Sequence, residues 1–375
     1  MSKLDEVIKK INKDFGFKIV GNNNIKERNY KRIPFRSPSM TYLFGGGLPR
    51  GIVVEISGVF SASKSTLSAS ICGEAQKLFK QEWEEEIAEL EALDKPSKED
   101  ITRLAYLKDR GYQKALYVDN EFSTNKEWFE LNGVNMDELI FIAPSEEQCA
   151  EEILQIVLDM IATDGVGLVV IDSIPAMVSK QSLEKQLIER TYCGISGCLT
   201  TFSNKVLPLC NKYKCTVIGI NQSRDDTSGY NQIITPGGRA WKHTCSIRMV
   251  MRKERYYDES YKELTSHCET PYGNMSSVEK IKDKATGMQH RLTKISTSYD
   301  MGIDYYHDTA TMAISLDLIK KAGAWFSYIN EDGEVITDNK GNLMKWQGMG
   351  NVMAYLKAHE DFTQSLITKI EELTK

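Results

Sequence analysis

The sequence is poor in the features that mark membrane, secreted and strongly basic proteins. It has no apolar run long enough to cross a membrane and no secretion signal, so neither a membrane protein nor an extracellular protein is expected. Positive charge is not in excess, since 47 Lys and Arg face 52 Asp and Glu, and the formal net charge is -5. Any binding of nucleic acid must therefore depend on a local basic surface rather than on attraction by the whole protein.

The eight cysteines lack the close C-x2-C spacing that zinc knuckles favour. Two pairs, Cys193/Cys198 and Cys210/Cys215, share C-x4-C spacing, which keeps a zinc site open as one interpretation. The second pair, however, straddles a helix end and an apolar strand. Reduced, buried thiols of a cytosolic protein are the expectation, and no metal ligand is assigned to these residues.

What the sequence does contain is a regular alternation of apolar strands and helices. Apolar residues make up 41% and charged residues 26% of the 375, as in globular proteins. Strands are predicted at 52–57, 115–119, 139–143, 168–172, 216–221 and 246–251, with helices at 66–80, 147–163 and 196–213. Continuous apolar strands separated by helices predict an α/β core, a mostly parallel sheet with helices on both faces.

Three segments flank or interrupt this core. Residues 3–15 have the apolar spacing of an amphipathic helix with a Lys-rich outer face. Residues 81–110 are predicted to form a helical hairpin with acidic outer faces and Ser97 as a cap; Ile101, Leu104 and Ala105 form the apolar stripe of its second helix. A solvated excursion and a partner-binding arm are both open interpretations of this hairpin. After about residue 305 the pattern becomes mixed, and it ends in a helix at 362–373.

The segment GVFSASKSTL, residues 58–67, lies between a predicted strand and a predicted helix. A phosphate-binding loop has a glycine, four residues, a second glycine, a lysine and a hydroxyl residue. Gly58, Lys64 and Ser65 fit this pattern, but Ser63 stands in place of the second glycine. If that position needs a positive φ, the serine costs on the order of 1–2 kcal/mol relative to glycine. Taken alone, the loop leaves open a nucleotide site and a chance Lys-Ser-Thr at a helix start.

Polar residues at the ends of three apolar strands favour the nucleotide site. Asp172 ends GLVVIDS, where open α/β sheets bind ligands and a carboxylate can hold magnesium through water. Burying an unpaired aspartate there for structure alone would be costly. Glu121, in YVDNEF with Asp119, is placed to orient a water in line with a γ-phosphate. Gln222 ends TVIGINQ and can hydrogen-bond the γ-phosphate from the start of a polar loop.

The order and wording of these motifs resemble the RecA-type recombinases. The resemblance is collinear from about residue 33 to the C-terminus and includes GGGLPRGIVVEISG, VVIDSIPAM, INQSRDDTSG followed by TPGGRAWKH, and LIKKAGAWFSY. The last segment lies outside the ATPase motifs. The resemblance implies a RecA-like P-loop ATPase core at 34–303 with the hairpin inserted at about 81–110. It also implies an N-terminal oligomerisation helix and linker at 1–33 and a small C-terminal α+β domain at 304–375.

The resemblance also implies which residues bind ATP and Mg²⁺ and hydrolyse ATP. Glu121 corresponds to the catalytic carboxylate, Ser65 to the magnesium hydroxyl, and Asp172 to the aspartate that holds magnesium through water. Gln222 corresponds to the residue that links the γ-phosphate to the second DNA loop. ATP contacts are implied for the whole loop and two aromatic residues, namely Gly58, Val59, Phe60, Ser61, Ala62, Ser63, Lys64, Ser65, Thr66, Trp128 against adenine, and Tyr299.

A site shared between subunits follows from the same resemblance. Lys282 and Lys284, in EKIKDKA, correspond to lysines that reach the ATP of the neighbouring subunit, and Tyr299 covers the same nucleotide. The two lysines are two residues apart, so an extended segment would direct both to one face. The alternative is a solvated basic edge strand. A nucleotide site completed by the neighbouring subunit would let ATP control assembly, because the nucleotide would be part of the interface.

Two loops are implied to contact DNA. The first is near 182–194 and the second runs from 223 to 238. Arg side chains would contact phosphate, Tyr and Ile would wedge between bases, and the paired glycines would let the backbone approach a phosphate. An ordinary polar surface loop is the alternative for each residue. The candidates are Arg190, Tyr192, Arg224, Tyr230, Ile233, Ile234, Gly237 and Gly238.

The implied protein is an ATP-dependent recombinase that forms helical homopolymers on single-stranded DNA and pairs it with homologous duplex DNA. Single-strand-binding and mediator proteins are further implied partners, and the bacterial or phage-infected cytoplasm is the implied location. The chain departs from bacterial members at Ser63, in the hairpin, in the acidic pair Asp225–Asp226, and in ending without an acidic tail. The departure from the glycine pattern at Ser63 is a feature in which the chain resembles phage recombinases of the UvsX type. The alternatives are a DNA-binding filament protein with little hydrolysis and a regulatory ATPase or helicase motor.

Overall fold

The computed structural model describes residues 6, 7, 9, 10, 13, 30–145, 147–184, 194–223, 235–265, 270–338 and 340–374. It divides into two compact units, Met1–Lys31 and Arg32–Lys375. In the first unit the five described residues between 6 and 13 are helical, within the helix predicted at 3–15. None of the helices in the described ranges is long and apolar enough to cross a membrane.

The strands of the second unit are numbered here in chain order. They are β1 (Arg32–Ile33), β2 (Leu48–Pro49), β3 (Val53–Gly58), β4 (Lys114–Asp119), β5 (Ile140–Ile142), β6 (Val166–Asp172), β7 (Thr216–Gln222), β8 (Ile247–Tyr257), β9 (Glu263–Leu264), β10 (Gly273–Asp283), β11 (Leu292–Ser298), β12 (Gly302–Ile303), β13 (Ile319–Ala322), β14 (Trp325–Tyr328) and β15 (Lys345–Gln347).

The helices of the second unit are numbered in the same way. They are α1 (Pro38–Phe44), α2 (Lys64–Glu91), α3 (Lys98–Arg110), α4 (Lys126–Leu131), α5 (Ala150–Ala162), α6 (Lys180–Leu183), α7 (Gly194–Tyr213), α8 (Gly238–Thr244), α9 (Tyr305–Ser315), α10 (Met349–Ala358) and α11 (Glu360–Thr374).

The main sheet has the strand order β12-β11-β10-β8-β3-β7-β6-β4-β5, with β9 added to β8. The six strands from β8 to β5 are parallel. Strands β3 and β6 are buried along their whole length, because helices cover both faces of a parallel sheet. The prediction of an α/β core with a mostly parallel sheet is confirmed, and all six predicted strands lie within it.

The other half of the sheet is antiparallel and was not among the predicted strands. β10 pairs with β8 and β11, and β11 pairs with β12. The sequence of β10, GNMSSVEKIKD, mixes Ser, Asn and Lys with apolar residues, so it lacks the apolar run of a central parallel strand. A register shift lies between Lys280 and Lys282, where β10 bulges against β8.

The helical hairpin predicted at 81–110 is present, but its first arm is not a separate helix. α2 is 28 residues long and runs from the phosphate loop to Glu91 without a break. Ser97 caps α3 in a capping box with Asp100, and the Trp83 indole donates to the Leu107 carbonyl oxygen at 2.8 Å. The predicted stripe is wrong at Ile101, which is 56% exposed, and at Ala105, which is also exposed, because Leu107 is the residue of α3 that packs inward.

The C-terminal part forms a small α+β module with its own core. β13, β14 and β15 make an antiparallel sheet, against which α9, α10 and α11 pack around residues such as Phe326 and Leu356. α11 contains the predicted terminal helix. Asp308 of α9 is buried and accepts hydrogen bonds from the Ser37 and Ser39 hydroxyls and from the Ser39 backbone N–H at 3.2 Å. The exact division into domains at 33 and 303 stays a prediction.

Candidate nucleotide-binding site

The phosphate loop lies between β3 and α2, at the carboxyl edge of the parallel strands. Gly58 ends β3 so close to its neighbour that a Cβ atom there would lie 2.2 Å from the Met251 carbonyl oxygen. The Lys64 ammonium donates to the Val59 carbonyl oxygen at 2.7 Å and closes the loop on itself. Ser63 has φ +62° and ψ +26°, the left-handed conformation that favours glycine. The condition on which the sequence argument depended, a positive φ at Ser63, is therefore met.

Asp172 lies where the sequence placed it, at the end of β6 and beneath the loop. It is 3% exposed, and the Tyr117 hydroxyl donates to its Oδ2 at 2.6 Å. Burial raises the pKa of Asp172, and nearby Glu121 and Asp119 raise it further, whereas hydrogen bonds from Ser65 and Tyr117 lower it. A hydroxyl and a buried carboxylate side by side form an oxygen donor set of the kind Mg²⁺ prefers. Ser65 and Asp172 thus fit the magnesium site predicted for them.

Glu121 is held by contacts from two neighbouring strand ends. Asp119, the last residue of β4, accepts the backbone N–H groups of Glu121 at 3.1 Å, Ser123 at 3.0 Å and Thr124 at 2.9 Å, so the turn is fixed. The Ser173 hydroxyl donates to the Glu121 carboxylate. The structure therefore places Glu121 beside Asp172, in an exposed position at the mouth of the site.

Gln222 completes this group from the end of β7. Its side-chain amide donates to Glu121 Oε1 at 3.0 Å. Burial lowers the pKa of Lys64, while the charges of Asp172 and Glu121 raise it. Lys64, Asp172, Glu121 and Gln222, which the sequence placed on four separate motifs, are brought together.

Trp128 reaches the same site from α4. Its indole N–H donates to the Thr66 hydroxyl in the first turn of α2 at 3.3 Å, and the side chain is half-buried. The Asn125 side chain caps α4 by accepting the Trp128 backbone N–H at 3.0 Å. The ring therefore stands next to the loop, and its contact with adenine stays a prediction.

Lys282, Lys284 and Tyr299 lie on the antiparallel half of the sheet and make no hydrogen bond to the group around Lys64 in the described structure. The Lys282 ammonium donates to two carbonyl oxygens at the end of α8, those of Lys242 at 2.7 Å and His243 at 2.9 Å. Burial lowers the pKa of Lys282, and the charge of Lys284 lowers it further. The two ammonium groups are therefore close enough to repel each other.

Asp283, between these lysines, does not neutralise them. It is buried, and its carboxylate accepts the Lys280 ammonium at 2.7 Å and the Thr286 backbone N–H at 2.7 Å. The Lys280–Asp283 ion pair is fully buried and fixes the turn after β10. Lys284 and Tyr299 are exposed, so both are accessible to a neighbouring molecule.

Most of the DNA-loop candidates, namely Arg190, Tyr192, Arg224, Tyr230, Ile233 and Ile234, lie outside the described residues. Gly237 and Gly238 are described, with φ +102° and +78° at the start of α8. A Cβ atom on Gly237 would meet Leu199 at 3.1 Å, and one on Gly238 would meet Ser196 at 3.2 Å. Their conformation and close approach to α7 explain the two glycines, and their contact with DNA stays a prediction.

A buried network centred on Glu55 was not predicted from the sequence. Its carboxylate, fully buried in β3, accepts the Asn221 amide at 2.8 Å, the Trp241 indole N–H at 3.1 Å and the Arg248 guanidinium. The Asn221 amide also donates to the Pro236 carbonyl oxygen at 2.9 Å. The network thus connects the strand that carries Gln222 with the far end of the second loop. The available signal was one carboxylate inside an otherwise apolar strand.

The cysteines show no sign of a metal centre in the described ranges, where no cluster of three His, Cys, Asp or Glu residues could hold an ion. Burial raises the pKa of the Cys210 thiol to about 12 and that of Cys215 well above its ordinary value. Both thiols are free and buried, as expected from the sequence. Cys193 lies outside the described residues.

Comparison with known proteins gives two family matches. A model described as the RecA N-terminal domain matches residues 99–304, and one described as the RecA C-terminal domain matches residues 309–375. Proteins named Protein RecA are similar over 98% of this chain. That of Oceanobacillus iheyensis is 28% identical with 91% of its own length covered, that of Lactobacillus delbrueckii subsp. bulgaricus 28% with 96%, and that of Listeria monocytogenes 26% with 91%. The crystal structure of the RadB recombinase aligns with a TM-score of 0.44 and 16% identity, over 71% of this chain and 95% of RadB.

Proposed function

The chain belongs to the RecA family, and from this premise we propose that it is an ATP-dependent DNA strand-exchange protein. It assembles as a helical homopolymer on single-stranded DNA in the bacterial or phage-infected cytoplasm and pairs that strand with homologous duplex DNA. ATP binding drives assembly, and hydrolysis releases the DNA. The observation that carries this proposal is the convergence of Lys64, Asp172, Glu121 and Gln222 at one edge of the sheet.

In this proposal the residues of the chain position ATP and a water molecule. The backbone N–H groups of the loop and the ammonium of Lys64 hold the β- and γ-phosphates at the start of α2. Ser65 and Asp172 are the residues that would hold Mg²⁺, and the ion, when bound, neutralises charge on the phosphate oxygens. Trp128, beside Thr66, is placed at the rim where a base would lie.

Glu121 carries the chemical role. Its carboxylate orients a water molecule for in-line attack on the γ-phosphorus and accepts a proton of that water. As the new bond to the water oxygen forms, the bond between the γ-phosphorus and the β–γ bridging oxygen breaks, and ADP departs with that oxygen. The hydrogen bonds from Gln222 and Ser173 fix the direction of the carboxylate. Since Gln222 opens the second loop, DNA bound there would change the Glu121–Gln222 contact and hence the rate.

The charge distribution supports DNA binding in spite of the acidic net charge. Residues 81–110 contain ten acidic and five basic side chains, so the rest of the chain, with 42 of each, is neutral. The excess negative charge is therefore confined to the hairpin, which leaves from the end of α2 away from the phosphate loop. Phosphate contacts at the loop edge do not have to overcome a globally acidic surface.

The proposal is tested by measuring ATP turnover with and without single-stranded DNA and joint-molecule formation with homologous duplex. Electron microscopy with a slowly hydrolysed ATP analogue is done in parallel. Turnover that rises with DNA, together with helical filaments and joint molecules, is the expected result. Tight ATP-dependent DNA binding without turnover would instead identify a nucleotide-gated filament protein. Discrete rings without joint molecules would identify a regulatory ATPase or motor and would overturn the proposal.

A further inference from the structure

Ser63 takes part in a closed ring of hydrogen bonds with two residues of the antiparallel strands. Its Oγ lies 3.1 Å from Thr297 Oγ1 of β11 and 3.4 Å from Asn274 Nδ2 of β10. Thr297 Oγ1 in turn lies 2.6 Å from Asn274 Oδ1. Asn274 and Thr297 face each other in the β10–β11 ladder, and both are buried.

The donors and acceptors of this ring can be assigned from its geometry. A hydroxyl has one proton, and the short contact of Thr297 with an amide oxygen, which can only accept, uses the Thr297 proton. Ser63 must then donate to Thr297, and Asn274 donates its amide N–H to Ser63. Within the ring each side chain gives one hydrogen bond and receives one, and the Asn274 amide also donates to the Ser276 hydroxyl at 3.3 Å. Rings of this kind strengthen each bond by polarising the next, and burial adds to the effect.

The ring of hydrogen bonds includes Ser63, whose backbone conformation is unfavourable for a residue other than glycine. Ser63 is in the left-handed conformation, which an L side chain adopts at a cost, and it forms no side-chain cap on α2. Lys64 and Ser65, the residues proposed to contact phosphate and magnesium, follow it directly. Whatever fixes Ser63 therefore fixes the direction in which α2 begins.

We infer that Ser63 is a positioning residue, whose hydroxyl anchors the phosphate loop to Thr297 and Asn274 and holds it in the conformation that binds the phosphates of ATP. A glycine would adopt this backbone conformation without strain. The serine instead is held in it by a hydrogen bond to Thr297, 234 residues away in sequence. This inference rests on the proposed function, because it concerns the same nucleotide. Loss of the anchor weakens ATP binding and leaves the hydrolysis of bound ATP nearly unchanged, since neither Ser63 nor Thr297 contacts Glu121.

The test uses full-length protein and a fluorescent ATP analogue, with Kd measured without DNA and KM and kcat measured on single-stranded DNA. Ser63→Ala keeps a side chain at a positive φ but removes the hydroxyl, and Thr297→Val removes the partner at nearly constant volume. Each is expected to raise Kd and KM roughly three- to tenfold, the value of one buried hydrogen bond. The double variant is expected to be no weaker than either single one, because both remove the same ring. Thr297→Ser restores the hydroxyl and is expected to restore binding.

Two control variants separate positioning from general damage. Ser68→Ala removes a buried hydroxyl of α2 that has no hydrogen-bond partner in the described structure. Thr293→Val makes the same change on β11, four residues from Thr297. Both are expected to bind ATP like the unchanged chain, and thermal unfolding monitors folding of all variants.

The outcomes distinguish this inference from the proposed function. If the unchanged chain binds ATP and Ser63→Ala binds it equally well, the anchor is refuted while the function stands. Effects of the two single variants that multiply in the double variant, or equal losses in Thr293→Val and Thr297→Val, also refute it. If the unchanged chain binds no ATP, the proposed function fails and the inference falls with it.

Discussion

The side-chain amide of Gln222 donates to the carboxylate of Glu121, with 3.0 Å between Nε2 and Oε1. The two residues come from the ends of β7 and β4, which are separated in the sheet by β6. Glu121 is the proposed catalytic carboxylate, and Gln222, the last residue of β7, directly precedes the proposed DNA loop at 223–238. One hydrogen bond therefore connects the proposed chemistry to the segment proposed to contact DNA.

Glu121→Gln is expected to bind ATP and DNA but to hydrolyse ATP at least about 100-fold more slowly, because a neutral amide cannot accept the proton of the attacking water. Filaments of this variant should remain on DNA long after those of the unchanged chain have dissociated. Phosphate release and filament lifetime are the measurements. Glu127→Gln, an exposed change in the first turn of α4, is the control. Turnover of Glu121→Gln at the normal rate would show that another group orients the water.

Lys64→Ala is expected to abolish ATP binding and ATP-dependent filament formation together. The variant loses the ammonium that is buried beside Asp172 and Glu121, so phosphate charge would lie there uncompensated. Fluorescent-nucleotide titration and electron microscopy test both effects. Lys77→Ala, on the exposed side of the same helix, should behave like the unchanged chain. ATP-dependent filaments of Lys64→Ala would contradict the assignment of the loop.

Lys282→Ala and Lys284→Ala test whether one site is shared between subunits, and the structure shows that the two changes differ. The Lys282 ammonium holds two carbonyl oxygens at the end of α8, so Lys282→Ala should lower stability by about 1 kcal/mol. The exposed Lys284 side chain has no such role. Lys284→Ala should fold normally, bind ATP weakly, and lose cooperative assembly and DNA-stimulated turnover.

Mixing provides the decisive measurement for the shared site. Lys284→Ala protein contributes an intact Glu121, and Glu121→Gln protein contributes an intact Lys284. Mixed filaments should therefore contain some complete interfaces and regain part of the turnover that each protein lacks alone. Absence of recovery at every mixing ratio would count against a site built from two subunits.

Asp308 is expected to make the stability of the protein depend on pH. Burial raises the pKa of this carboxyl from its ordinary value of 3.8 to about 6. The folded protein therefore holds the proton more tightly than the unfolded chain does. This contribution to stability is fully present below about pH 4 and is lost as pH rises through about 6.

Asp308→Asn removes the ionisation, since an amide stays neutral and can still accept from Ser39. Between pH 5 and pH 8 the free energy of unfolding of this variant should fall by about 1–2 kcal/mol less than that of the unchanged chain. Urea unfolding of both proteins at pH 5 and pH 8 measures this difference in the free energy of unfolding. The buried Asp304 also has a raised pKa, and its charge is one of the causes that raise the pKa of Asp308, so loss of this interaction is part of the expected difference. Asp137→Asn, an exposed change, is the control, and parallel pH profiles of all three proteins would contradict the role of Asp308.

The sequence was sufficient for the parallel half of the fold and for the convergence at its edge. β6 reads VGLVVID and is buried throughout, so its apolar run identified it. Because the carboxyl ends of parallel strands meet at one edge, the polar residues Asp172, Glu121 and Gln222 could be placed together without knowing any distance.

The remaining features depend on pairings between distant segments. β10 has no apolar run, and its place beside β8 follows from packing rather than from local pattern. The hydroxyl of Tyr117 reaches Asp172 only because β4 and β6 pair in the observed register. Similarly, Thr297 is 234 residues from Ser63, so no local motif could have identified it as a partner.

The long helix α2 has a mechanical consequence. It begins at the candidate nucleotide site with Lys64 and ends in the hairpin at Glu91, with 28 residues and no break. At 1.5 Å per residue its length is about 42 Å, so a rotation of about 5° at the first turn would displace the far end by about 3–4 Å. A fluorophore attached at the exposed Leu93, just beyond that end, would therefore report small rotations of the first turn of α2. The label would be too distant from the candidate nucleotide site to disturb it.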